Sequence, residues 1–96
     1  MSYGYVRITK IETIRDIGTP LKEGYWVVGE LARPLEIGKA IVVHREIRNG
    51  NIIPGSFVTS LICELEGHLT LDKSVVVKTE NSVYRIERTD RHRYFK

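Results

Sequence analysis

Asn49-Gly50 divides two stretches in which apolar and polar residues alternate with a period of two. Both residues tolerate positive φ and so fit the central positions of a type I′ hairpin turn. Residues 39–47 and 52–65 are therefore expected to pair antiparallel. Ile41, Val43 and Ile47 share one face of the first strand, while Phe57, Thr59, Leu61, Cys63 and Leu65 alternate with Val58, Ser60, Ile62 and Glu64 in the second. Pro54 and Gly55 predict an irregular entry before the regular run from Phe57.

The same period governs the rest of the chain. No window places apolar residues at i, i+3, i+4 and i+7 over three turns, so helices are not expected. A first strand spans residues 3–14, bent near Thr9 or Lys10 because Val6 and Ile8 share a face that Ile11 cannot join. Breaker residues predict loops at 16–23 and 32–38 around a strand at 24–31, in which Tyr25, Val27 and Leu31 lie opposite Trp26, Val28 and Glu30. Turns at Gly67-His68 and around Glu80-Asn81-Ser82 frame strands at 69–78 and 83–88. Six strands so spaced predict an all-β fold, a small antiparallel barrel or sandwich; closure would remove the unpaired edges that invite aggregation.

Ninety-six residues suit one core, here placed in residues 1–88, followed by a basic and aromatic tail over 89–96. The net charge of +3 lies entirely in the last nine residues: Arg88, Arg91, Arg93 and Lys96 stand against Asp90, and the preceding residues balance. The high isoelectric point thus reports on nine residues and not on a basic face. Runs such as residues 40–43 and 75–77 fall far short of the roughly 20 apolar residues of a membrane-spanning helix. Residues 1–8 lack the pattern of a signal peptide. With Cys63 alone, no internal disulfide can form; a cytoplasmic location away from membranes is the expectation.

Chemistry-bearing residues are scattered. His44, His68 and His92 lie 24 residues apart and lack the close pairs of zinc sites, so no metal or other cofactor is expected. Ser60 or Cys63 with His44 is the one conceivable nucleophile and base pair, but both candidate nucleophiles sit inside an alternating strand. Glu64 and Glu66 read as solvated charges. The chain is not expected to be an enzyme.

Aromatic and arginine side chains offer more. Tyr25 and Trp26 are consecutive in a strand and must point to opposite faces, so one of them is expected outside. Exposed rings beside arginines suit either a protein interface or base stacking. The candidate contact residues are Tyr25, Trp26, Arg45, Tyr84 and Arg85 on the body, with Arg88, Arg91, Arg93 and Tyr94 at its C-terminal end and in the tail.

Phe57-Val58-Thr59-Ser60 followed by Thr79-Glu80-Asn81-Ser82-Val83-Tyr84 resembles the closing half of small β proteins of phages and mobile elements. Those proteins carry no assigned activity, and a phage or mobile-element accessory or inhibitor role is the expectation. Residues 24–43, with Leu35-Glu36-Ile37-Gly38-Lys39 before an aliphatic strand, look like the β-barrel that follows the nucleotide-binding domain of translation factors, which implies topology alone. Together these readings predict a non-catalytic module that binds another protein or its own copy. The alternative is a small barrel that binds single-stranded RNA or DNA, with nucleic acid held through the tail; a small enzyme comes third.

Overall fold

Alternation decides which side chains enter the interior, and closure of the sheet decides that they meet. The computed structural model describes residues 3–15, 22–67, 69 and 73–95. Residues 16–21 of the expected loop over 16–23, the His68 half of the second turn, residues 70–72 of the fifth strand and the last tail residue lie outside the described residues. Six strands follow in order: β1 (Tyr5–Thr13), β2 (Trp26–Leu31), β3 (Ala40–Arg48), β4 (Asn51–Glu66), β5 (Ser74–Thr79) and β6 (Ser82–Arg88). Each pairs antiparallel with the next, and β6 returns to β1, giving a closed barrel. The barrel realises the first of the two expected architectures. Closure pairs every strand on both sides and so removes the unpaired edges.

Val6, Ile8, Val27, Leu31, Ile41, Val43, Phe57, Ile62, Val75, Val77, Tyr84 and Ile86 fill the interior. A six-stranded barrel is narrower than the eight-stranded kind, so the side chains of facing strands meet across its interior. Lys10 follows Val6 and Ile8 on the inward side and is buried as well. The bend of β1 comes one residue later than expected, as a register shift between Lys10 and Glu12.

Local chemistry sets the turns. Asn49 and Gly50 adopt φ of 47° and 89°, the positive values that the hairpin requires. Asn49 also ties the turn to β2, since its N–H donates to the Trp26 carbonyl and its Oδ1 accepts from the Trp26 N–H, both at 2.9 Å. At the β5–β6 turn the Thr79 hydroxyl donates to the Ser82 carbonyl and accepts from the Ser82 N–H. Pro54 and Gly55 do not delay β4, which begins at Asn51. Arg45 supports this irregular stretch by donating to the carbonyls of Ile53 at 2.8 Å and Pro54 at 3.5 Å. Among the described residues, no helix is long and apolar enough to cross a membrane.

Candidate protein interface

The tail is docked. After β6 the Thr89 N–H donates to the Tyr5 carbonyl, and a 3₁₀ turn at Arg91–Arg93, capped by the Asp90 carboxylate on the His92 N–H, lays the chain over the outer face of β1, β2 and β3. Arg91 places Nη2 2.8 Å from Glu46 and 3.0 Å from Glu30, and its Nε donates to the other Glu46 oxygen at 3.1 Å. This fork geometry is the strong form of an arginine–carboxylate pair. The Tyr5 hydroxyl donates to the same Glu46 at 2.9 Å, and the Arg91 guanidinium lies 4.8 Å from the centre of the Tyr5 ring.

The electrostatics follow from these contacts. Hydrogen bonding from Arg91 holds the Glu46 carboxyl below its ordinary value. Burial, reinforced by donation to Glu46, pushes the Tyr5 hydroxyl up to about 12. Hydrogen bonding to Glu46 and Glu30 raises Arg91 further above its already high value.

Beside the arginine, Tyr94 packs on Trp26 with ring centres 6.1 Å apart, and Arg7 stacks on the same indole at 4.2 Å. Val28, at 0% exposure, and its cross-strand partner Ile47 are buried but stand apart from the interior cluster. By alternation with Val27, Val28 points outward, so the barrel carries a second, smaller apolar layer on this side. Arg7 Nε, Thr89 Oγ1 and Tyr94 Oη are buried along the same seam without a hydrogen-bond partner.

The structure separates the candidate contact residues. Trp26, Arg91 and Tyr94 come together, but their contacts are made within the chain. Tyr25 turns inward at the barrel end and stacks on Phe57 at 6.1 Å. Tyr84 is a correction: at 5% exposure it packs edge-on against Phe57 in the core, and burial raises its hydroxyl. It cannot serve as a contact residue, because its inward parity is fixed by Ile86 on the same face of β6. Arg45 is occupied by the carbonyls of β4. Arg85 lies exposed on β6, whereas Arg88 and Arg93 flank a shallow recess with Thr89 and Asp90. His44 stands opposite Ser56 and Glu30, away from Ser60 and from Cys63, which occupies the bulge facing β5.

Sequence reasoning missed the surface most open to a partner. On the outer side of the β3–β4 hairpin, Val58 is 60% exposed and Leu61 46%, paired respectively with Val42 and Ala40. Ile52 is 69% exposed nearer the turn. The loop before β3 joins the strip, for the Gly38 N–H donates to the Ile62 carbonyl and brings exposed Ile37 beside it. The available signal was the apolar content of both faces of β4, with Val58 against Phe57 and Leu61 against Ile62. A separate apolar recess of about 150 Å³ lies at one barrel end between Tyr3, Leu31, Pro34, Leu35, Leu65 and Leu69.

Comparison with protein-family models, with curated proteins and with solved structures gave no match to this chain.

Proposed function

We propose that the chain is a non-catalytic protein-binding module, and that its contact surface is the outer side of the β3–β4 hairpin with a second copy of the chain as its occupant. One observation carries this reading: Val58 and Leu61 stay largely exposed on a barrel whose interior is already filled. With Ile37 they bare roughly a few hundred Å² of apolar side chain, the patch size at which a monomer's surface is often functional, and Ile52 adds an exposed apolar side chain nearer the turn. Charge supports a self-contact. Glu36 pairs with Lys39 at 3.6 Å, and Glu64 stands opposite Lys78, so the flanks hold both signs and two copies related by a two-fold axis can oppose acid to base.

Single-stranded nucleic acid is the competing occupant. Stacking of bases needs free rings beside cations. Trp26 and Tyr94 already face each other, with Arg7 on the indole, which favours the protein reading. Light scattering on the full chain over rising concentration tests the proposal. At concentrations well below about millimolar, where the tethered tail stays on its own chain, the mass should climb from 11.0 kDa toward twice that value, and Leu61→Asp should hold the chain monomeric. A wild-type chain that stays monomeric throughout, or a Leu61→Asp chain that associates equally well, would reject it.

A further inference from the structure

The tail meets the barrel as a ligand meets a site. Its residues 90–95 add no strand to the sheet; they engage through one guanidinium between two carboxylates and a phenol ring, and one aromatic ring on an indole three residues later. On the same outer side, Val28 and its partner Ile47 are buried and stand outside the interior cluster. Such a surface recognises a segment in which arginine is followed three positions on by an aromatic residue.

Two features make that contact exchangeable. The ion pairs are solvent-exposed, with about half of the Arg91 side chain accessible, so water and salt screen them. The seam also leaves Arg7 Nε and Tyr94 Oη buried without partners, which penalises the docked form. In contrast, β6 is held up to Thr89 by its ladder with β1, so release of the tail leaves the barrel closed.

We infer that the outer face of β1–β3 is a docking site for an Arg-x-x-Tyr segment, and that a second copy of this chain supplies it by exchange of C-terminal tails. Identity of the two chains guarantees the chemical match, and reciprocal exchange closes the pair about a two-fold axis. Exchange replaces each contact with its equal, so the balance rests on the effective concentration of the tethered tail, on the order of millimolar for a short tether. The free chain therefore holds its own tail at low concentration and exchanges it when copies are crowded. This site meets the β3–β4 strip at Ile52, the cross-strand partner of Ile47, and lies apart from Val58 and Leu61.

Complementation tests the exchange in full-length chains that all carry Leu61→Asp, which removes the strip's contribution. One chain also carries Arg91→Glu, leaving a good face and a spoiled tail; the other carries Glu30→Lys and Glu46→Lys, leaving a good tail and a spoiled face. Each alone should be monomeric by native mass spectrometry. Mixed, they should give a heterodimer, and the Trp26 emission of the first chain should return to its unsubstituted value. Absence of a heterodimer from folded chains overturns the inference, as does dimerisation of either chain alone. If the charge reversals impair folding, a synthetic peptide of residues 88–95 added to the Arg91→Ala chain probes the same face. Restored Trp26 emission, lost when the peptide's arginine at position 91 is alanine, supports docking in trans, and no response overturns it.

Discussion

Arg91 grips Glu46 across 45 residues of sequence, joining the C-terminal turn to the bulge of β3 through both carboxylate oxygens. This pair makes tail docking depend on pH. The Glu46 carboxyl is held below its ordinary value, so its contribution is fully present above about pH 4.3 and is lost as pH falls through the lower folded-state value. Tyr5 works from the other side: its raised value means that its contribution is present below about pH 10 and lost as pH rises through about 12. Trp26 emission should hold steady between these limits and change at both ends. In Glu46→Gln the acid change should disappear, while far-UV circular dichroism stays that of a folded barrel near neutrality.

Gly29 lies where β2 crosses the β3 bulge, and a methyl group there would overlap the His44 carbonyl oxygen and sit 3.0 Å from the Arg45 Cα. Both neighbours are backbone and cannot step aside. Gly29→Ala should cost about 3 kcal/mol by urea denaturation. In a domain of this size that loss lowers the melting temperature by more than about 10 °C.

The two apolar populations should respond differently to truncation. Ile8→Ala removes a fully buried side chain from the interior and should cost about 2–5 kcal/mol. Ile52→Ala, on the exposed strip, should change stability by less than about 0.5 kcal/mol. Parallel urea titrations measure both; equal losses would place Ile52 in a packed environment.

The barrel is legible in the sequence because its determinants are local. Asn49-Gly50 specifies positive φ twice, Thr79 and Ser82 close their turn by their own hydroxyl and backbone groups, and Val6, Ile8, Val27 and Val77 follow a strict period of two. What is not legible depends on long-range contact. Nothing in residues 88–95 announces that Arg91 finds Glu30 and Glu46, 61 and 45 residues away. Tyr84 defeats sequence reasoning because an aromatic residue beside arginines looks the same whether its strand parity turns it in or out. The exposed strip stays hidden for another long-range reason: Val58 and Leu61 belong to opposite alternating sets and reach the same side only through the register shift of β4 against Ala40 and Val42.

Cys63 offers the most direct test of the proposed contact surface. It is a free, exposed thiol whose Sγ lies 3.8 Å from the Leu61 carbonyl, at the border of the strip. Its labelling by a thiol reagent should slow as protein concentration rises and return to the dilute rate in Leu61→Asp. A wild-type labelling rate that is independent of concentration, while light scattering shows association, would place the interface elsewhere and contradict the β3–β4 contact.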